Sequence, residues 1–235
     1  MEWREDGVCL AARPHGESGA IAEIFTQNHG RTAGVVRGGA SRKLAPVLQP
    51  GAQLDATWRA RLSEHLGQFT VEPVKSRAGA VMGDRGGLLG LAAVTALLAY
   101  ALPERAPYPA LYARTIAILD GLGAEAWGLA YLGWETALLR DLGFGLDLES
   151  CAATGTKDDL AFISPRTGRA VSRQAAGDWA PKLLPLAPAL VGGKDGLADS
   201  LRVTGHFLHH HLAPSLGDRA LPPARDRLVA WLSRT

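Results

Sequence analysis

Cationic side chains concentrate in one short stretch of the chain. Between residues 31 and 61 there are six cations and a single carboxylate, Asp55. The cations are Arg31, Arg37, Arg42, Lys43, Arg59 and Arg61. Cations grouped in this way neutralise phosphates, and Gly38, Gly39 and Ser41 allow close approach of the backbone to a phosphate. Trp58 adds a ring that can stack on a base. These seven cationic and aromatic residues predict a surface for single-stranded nucleic acid.

A second interpretation of the same cations stays open. Strand edges often carry Lys or Arg, which prevent a second chain from pairing with the edge. The run from Arg37 to Lys43 continues through a predicted loop, where edge protection is unnecessary. This continuation favours nucleic-acid contact over edge protection.

Composition limits the classes that remain. The chain has 25 Lys and Arg against 23 Asp and Glu, so a polyanion must be met by a local patch. A hydrophobic fraction of 47% is typical of a folded protein. The charged N-terminus lacks the apolar stretch of a signal peptide, and two cysteines cannot form a disulfide framework. The most apolar window, residues 88–102, is too short to span a membrane. These features predict a cytoplasmic protein without a membrane partner.

No catalytic motif is present. The sequence lacks a phosphate-binding loop ending in Gly-Lys-Ser/Thr, an HExxH pair, a nucleophile elbow and a dinucleotide fingerprint. The adjacent Asp158 and Asp159 are more typical of a solvated turn than of a metal site. We therefore predict a protein that is not an enzyme and that needs no cofactor.

Four histidines fall on one predicted helix, and two of them have the spacing of metal ligands. His206 and His210 are four residues apart, which suits zinc or copper, but no third ligand stands at a matching turn. With His209 and His211 they lie near the end of the helix, where cations suit the macrodipole. We expect these histidines to be solvent-facing or close to the helix terminus.

The elements that position these residues change in type along the chain. Up to about residue 78, alternating segments separated by Gly, Pro and Asn predict five strands, and five short strands of this size are typical of a closed OB-fold barrel. Phe25 and Phe69 are expected in its core. The five predicted strands are residues 7–12, 21–26, 31–37, 53–59 and 68–74.

Helical spacing replaces alternation after Gly79. We predict an α+β protein with an OB-fold domain at 1–79 and an all-helical domain at 80–235, which contains an irregular segment at about 149–190. A stripe formed by Trp127, Tyr131 and Trp134 is expected to be buried. A shallow groove there would suit a peptide, and Arg105, Arg114 and Arg140 are candidates for its rim. The predicted helices are residues 88–98, 108–122, 124–142, 195–212 and 223–232.

Several separate motifs, in order, resemble one family. They are RPHGES at 13–18, FT and HGR within 25–31, VVRGGASRK at 35–43, LQPG at 48–51, WE, LL and LGFGLDL within 134–148, CAATG at 151–155, SPRTGRAVS at 164–172 and the closing FLHHHL and PPAR. Together they are similar to the bacterial recombination mediator family RecO, nearly from end to end.

The resemblance implies a DNA-repair protein without catalytic activity. It implies binding of single- and double-stranded DNA, annealing of complementary strands, and loading of RecA onto strands coated by the single-stranded DNA-binding protein SSB. The implied partners are RecR and the acidic C-terminal tail of SSB, which family members dock on the helical domain. Arg105, Arg114 and Arg140 are the candidates for that tail, and the implied location is the cytoplasm, in association with the nucleoid.

The resemblance also raises a metal question. Some relatives carry four cysteines in the segment that begins at Cys151, which would form a closed tetrahedral zinc site. Here Gly155, Ser164 and Gly168 offer no thiolate. We expect no metal, and a segment held by packing and turn hydrogen bonds.

One alternative function remains. The barrel would then be a protein-interaction adaptor that binds a peptide or RNA and whose affinity for DNA is incidental.

Overall fold

Five strands close into a barrel at the start of the chain. The structure is a computed structural model that describes residues 1–62 and 65–234. The strands are β1 (Glu2–His15), β2 (Gly19–Thr26), β3 (Gly30–Val36), β4 (Gln53–Arg59) and β5 (Gln68–Lys75). Their order around the barrel is β1-β2-β3-β5-β4. The predicted OB-fold is confirmed, and four of the five predicted strands match the observed bounds within two residues.

The first strand is longer than its alternation predicts because it serves two neighbours. Its N-terminal half pairs with β4, and its C-terminal half pairs with β2 after an irregularity between Cys9 and Ala11. A bulge of this kind bends a strand and lets one sheet curl onto itself. The barrel is closed by a parallel pairing of β3 with β5, through Val35 with Gln68 and Val36 with Phe69.

Small and large side chains alternate inside the barrel. The Phe69 ring packs over Gly34, where a Cβ would be 2.6 Å from Phe69 Cδ2, so only glycine leaves room for the ring. Phe69 is in the core as predicted, whereas Phe25 is buried on the outside of β2, where its ring meets Tyr112 edge-on at 5.4 Å. The core comprises Cys9, Ala20, Ala22, Ile24, Val36, Leu48, Ala52, Leu54, Ala56, Trp58, Phe69 and Val71.

Three helices that follow the barrel in the chain belong to the same compact unit, together with part of a later helix. They are α1 (Arg77–Ala80), α2 (Arg85–Ala101) and α3 (Pro109–Asp120). Asp84 caps α2 by accepting hydrogen bonds from the backbone N–H groups of Gly86 and Gly87. This unit comprises residues 1–124 and 222–228.

The second unit, residues 125–221 and 229–235, is built on helices that surround a buried carboxylate. Glu135 lies on helix α4 (Trp127–Asp141). It accepts hydrogen bonds from the hydroxyls of Tyr131, at 2.8 Å, and Thr204, at 2.5 Å. All three side chains are fully buried, and the predicted stripe with Trp127 and Trp134 is buried as well. The helices of the remaining chain are α4 (Trp127–Asp141), α5 (Arg173–Ala176), α6 (Leu197–Phe207), α7 (Ala213–Ser215) and α8 (Pro223–Leu232), of which α8 is divided between the units.

The C-terminal part of the chain is mainly helical, as predicted, and the segment predicted to be irregular contains short strands. Residues 149–190 contain a small antiparallel sheet in the order β7-β6-β8, with short 3-10 turns. The strands are β6 (Leu160–Ile163), β7 (Ala170–Ser172) and β8 (Leu184–Pro185). Cys151 and Val171 are buried together against this sheet.

The change from strands to helices occurs between Lys75 and Arg77, close to the predicted boundary at residue 79. The compact unit nevertheless continues through α2 and α3 to residue 124. A domain that ends at residue 79 stays a prediction. Among the described residues, no helix is long and apolar enough to cross a membrane.

Candidate nucleic-acid interface

Three of the predicted cations surround one shallow depression on the barrel. Arg37, Arg59 and Arg61 line a space of about 690 Å³. Strand register explains why they meet: Arg59 is opposite Gln68 on β5, and Gln68 is opposite Val35, two residues before Arg37. All three guanidinium groups belong to exposed residues. The depression therefore presents three positive charges at the ends of β3 and β4. Its remaining lining residues are Met1, Glu2, Ala60, Gly67 and Gln68.

One acidic residue shares the depression. Glu2 lies opposite Arg59 across the β1–β4 pairing, and a guanidinium nitrogen of Arg59 donates a hydrogen bond of 2.7 Å to Glu2 Oε1. This hydrogen bond lowers the pKa of Glu2 and raises that of Arg59. The side chains are 66% and 53% exposed, and ion pairs so exposed contribute little to stability. A phosphate can therefore replace Glu2 as the partner of Arg59 with little loss of free energy.

The loop after β3 carries the next two predicted cations, Arg42 and Lys43. Both are exposed. The N–H of Ala40 donates to the carbonyl of Ser18 at 3.0 Å, which places this loop beside the β1–β2 turn. Within the loop, Leu44 N–H donates to Ser41 Oγ at 3.2 Å. These two cations come a few residues after Arg37 in the chain, but they do not line the depression.

Arg31 is engaged inside the protein, contrary to the expectation that it contacts nucleic acid. Its guanidinium donates to Glu23 at 2.6 Å and to the carbonyl of Leu102 at 2.8 Å. The side chain is only 17% exposed. A phosphate would have to displace both partners, so Arg31 holds the residues after α2 against the barrel instead.

Trp58 is also placed differently from its predicted role. The residue is 3% exposed, and its indole N–H is shared between the carbonyls of Ala33 and Leu66, both at 3.3 Å. A ring that is covered in this way, with Trp3 stacked against it, has no free face on which a base could stack. Trp58 belongs to the barrel core, where it packs against Trp3 with ring centroids 5.9 Å apart.

No local sequence pattern indicates Gln68, or the carboxylates further along the same strands, as part of this site. Gln68 enters the site only because β5 lies between β3 and β4. Further along the same strands, Asp55 lies opposite Asp6 and Glu72. Asp55 pairs with Arg4, and that hydrogen bond lowers the pKa of Asp55. Carboxylates therefore meet around Asp55 on the β1–β4–β5 face, whereas Arg59 lies at the end of that face.

Comparison with known proteins places this barrel in a family. The chain matches the family models "Recombination protein O N terminal" over residues 1–77 and "Recombination protein O C terminal" over residues 82–220. The chain belongs to the RecO family. It is 66% identical over its whole length to a DNA repair protein RecO of Jannaschia sp., of which it covers 97%. It is 58% identical to the RecO of Dinoroseobacter shibae and 59% to that of Roseobacter denitrificans, again over the whole chain and 99% of each relative.

RecO membership confirms the resemblance seen in the sequence and supports a role in DNA repair. The two family models meet between residues 77 and 82, where strands give way to helices. The cationic depression lies wholly within the N-terminal RecO segment.

The three arginines predicted to rim a peptide groove are not equivalent. Arg105 lies against the barrel, with its guanidinium carbon 5.4 Å from the centre of a Trp58 ring and a hydrogen bond of 2.6 Å to the carbonyl of His65. Arg114 is exposed on α3 of the first unit. Arg140 is exposed on α4 of the second unit and pairs with Asp141 at 3.1 Å. The structure does not gather these residues around one groove within either unit.

The histidine cluster is organised by a turn of π-helix at Leu208–Leu212. The Nε2 atoms of His206 and His211 lie 3.1 and 2.8 Å from the carbonyl of Pro165, and the rings of His206 and His210 are 4.5 Å apart. Burial lowers the pKa of His206, and the neighbouring His210 and His211 act in the same direction. The four histidines were expected to face solvent or to lie close to the helix terminus; His209 and His210 are exposed, whereas His206 and His211 contact a backbone carbonyl.

Cys151 is held by hydrogen bonds beside the small sheet of the second unit. The backbone N–H of Ser172 donates to its sulfur at 3.3 Å, and this bond, with those from the hydroxyls of Thr154 and Ser172, lowers the pKa of the thiol to about 6. The residue is 1% exposed. In the part of the chain that the structure describes, no group of three or more His, Cys, Asp or Glu is placed to hold a metal ion.

Proposed function

We propose that this protein is a recombination mediator that binds single- and double-stranded DNA through the barrel, anneals complementary strands and helps to load RecA onto SSB-coated DNA. One observation carries the proposal: Arg37, Arg59 and Arg61 surround a single exposed depression in a chain of the RecO family. Arg42 and Lys43 extend the surface along the following loop. Arg31 and Trp58 are left out because Arg31 is bound to Glu23 and to the Leu102 carbonyl and Trp58 is buried in the barrel core.

Annealing of this kind needs no catalytic group. Two strands repel through their phosphates, so a surface that neutralises both lowers the barrier to their encounter, while base pairing supplies the free energy. The protein would act in the cytoplasm, in association with the nucleoid, without cofactor or metal. RecR and SSB would be its protein partners.

The test of DNA binding is fluorescence anisotropy with labelled single-stranded DNA at several salt concentrations. Replacing Arg37 and Arg61 with Ala should weaken binding to all sequences. It should also flatten the slope of log affinity against log salt by about 1.4, because each lost phosphate contact removes about 0.7 from the slope for single strands.

The matched control removes the same charge elsewhere in the first unit. Arg85 and Arg227 are exposed and do not line the depression, so their replacement with Ala should leave the salt slope unchanged. A folded R37A/R61A protein with the wild-type slope would move the DNA site away from the depression.

The adaptor alternative is favoured by one feature. An apolar groove of about 580 Å³ runs between the barrel and α2, and Leu10, Leu91, Ala92 and Ala96 are among its lining residues. An adaptor would bind its protein partner but would neither hold labelled DNA at low salt nor anneal its complement. The same anisotropy titration therefore separates the two functions.

Docking of the acidic SSB tail is proposed on the helical part of the chain. Arg114 and Arg140 are the remaining candidates, since Arg105 is engaged with Trp58 and His65. Titration of a labelled tail peptide should show weaker binding for R140A or for R114A. Unchanged affinity in both variants would place the tail on other residues.

A further inference from the structure

A short stack of aromatic rings rises from the barrel core to the surface. The rings of Trp58 and Trp3 are 5.9 Å apart and inclined by 18°, and those of Trp3 and His29 are 4.2 Å apart and inclined by 6°. Trp58 is 3% exposed, whereas the His29 side chain is 37% exposed. The stack thus has a buried end at Trp58 and an open end at His29.

The open ring is held in place before any ligand arrives. His29 Nδ1 lies 2.8 Å from Glu5 Oε2, and Glu5 Oε1 accepts hydrogen bonds from the backbone and side chain of Asn28, at 3.0 and 2.7 Å. The backbone N–H of His29 donates to Thr26 Oγ1 at 3.2 Å. A ring fixed by such contacts binds a planar ligand without losing much conformational freedom.

The stack opens into a pocket that adjoins the cationic depression. The pocket has a volume of about 300 Å³, and Asn28, His29, Trp58 and Arg105 are among the residues that line it. It shares Met1 and Glu2 with the depression of Arg37, Arg59 and Arg61. A planar group in the pocket and a phosphate in the depression are therefore neighbours on one surface.

We propose that His29 receives an unpaired nucleobase of a single DNA strand whose phosphates lie in the depression. The proposal rests on the proposed function, because it needs a strand already held by the cations. Stacking on an aromatic ring tolerates every base, since each base has a π-face. A base inside a duplex is stacked on both sides and has no free face, so the pocket would favour single strands over duplex.

The experiment compares three probes of equal length: oligo-dT, an abasic oligonucleotide with the same phosphates, and a duplex. H29A should weaken binding of oligo-dT roughly fivefold to tenfold, the size of one lost base–aromatic contact. Its affinity for the abasic strand and for the duplex, and the salt slope, should equal those of the wild-type protein.

Two further variants separate stacking from folding and from the loss of an exposed histidine. H29F keeps a ring at this position while it loses the contact with Glu5, so it should restore most of the affinity for oligo-dT. H209A removes a histidine that is exposed on the second unit and should behave as wild type.

Each contrary outcome has its own meaning. An H29A protein that binds oligo-dT as tightly as wild type, or that loses affinity for the abasic strand to the same extent, overturns the stacking role. Loss of tail-peptide binding with oligo-dT affinity intact would assign the pocket to a protein partner and also overturn it. A wild-type protein that binds none of the three DNA probes would instead reject the proposed function itself.

Discussion

Trp58 stabilises the barrel through its ring and through its indole N–H. W58F keeps most of the apolar contact with Trp3 and Phe69 but leaves the carbonyls of Ala33 and Leu66 without this donor. We expect the free energy of unfolding to fall by about 1–3 kcal/mol, with affinity for duplex DNA unchanged at temperatures where the variant is folded. Urea denaturation and anisotropy on the same preparation measure both. A stable W58F protein with weakened binding to duplex DNA would show that Trp58 contributes to the DNA interface.

The sequence predicts that cations are concentrated between residues 31 and 61. It does not predict which of them are exposed and which are bound within the protein. Arg31 and Arg59 look alike in the sequence, since one begins and the other ends an alternating segment. Register decides between them: Ala33 lies opposite Glu23, so Arg31 is the diagonal neighbour of Glu23 on the outer face, next to the carbonyl of Leu102. A diagonal pair of opposite charges can be found once the β2–β3 turn is known. The Leu102 carbonyl comes from a distant part of the chain and has no local signal.

At the scale of elements, Arg77 joins α1 to the barrel and to the end of α3. The residue is 3% exposed and donates to Gly51 O, Gln53 Oε1 and Asp120 Oδ1 at 3.0, 3.1 and 2.6 Å. Breaking such a buried network by R77M leaves these acceptors without their donor. We expect a loss of about 3–5 kcal/mol in the free energy of unfolding, measured by urea denaturation. A loss below 1 kcal/mol would mean that water or a neighbouring group replaces the guanidinium.

The same ion pair makes stability depend on pH. Partial burial alone would raise the pKa of Asp120, but hydrogen bonds from Arg77 and Lys75 outweigh it and lower the pKa. A lowered native pKa contributes stability above the ordinary value of about 4, and this contribution disappears as the pH falls through the native pKa. D120N should therefore be less stable than wild type at pH 7, and the two proteins should converge in acid.

Denaturation of both proteins at pH 7, 5 and 3 checks the sign of this effect. A difference between wild type and D120N that stays constant down to pH 3 would exclude ionisation of Asp120 as its cause.

The elements differ in how well the sequence predicts them. The strands of the barrel have regular alternation and clear turn residues, as at Asn28–Gly30, and were predictable for that reason. The strands Leu160–Ile163 and Ala170–Ser172 have four and three residues, which is too short for a period to be recognised. The extension of β1 to Glu2 depends on pairing with β4, a long-range contact that local pattern does not contain.

For the molecule as a whole, the rate of annealing should depend on surface charge and should not require a bound metal ion. Complementary strands mixed with the protein at low salt should anneal without nucleotide, and EDTA should not change the rate. R37A/R61A should anneal roughly tenfold more slowly, since steering by surface charge changes encounter rates by at least this factor. A quenched-fluorophore assay measures the rate. Dependence on magnesium or ATP would indicate an enzymatic step that the proposal does not contain.

The parallel pairing of β3 with β5 determines when the cationic depression forms during folding. These two strands are separated by a long loop and all of β4, so their pairing costs more loop-closure entropy than the pairings of consecutive strands, β1–β2, β2–β3 and β4–β5, and we expect it to form after them. Arg37 and Arg59 become neighbours only across that seam. A nascent or partly unfolded barrel would hold Arg37 and Arg59 apart. The ability to bind a DNA strand is therefore gained in one step, when β3 pairs with β5.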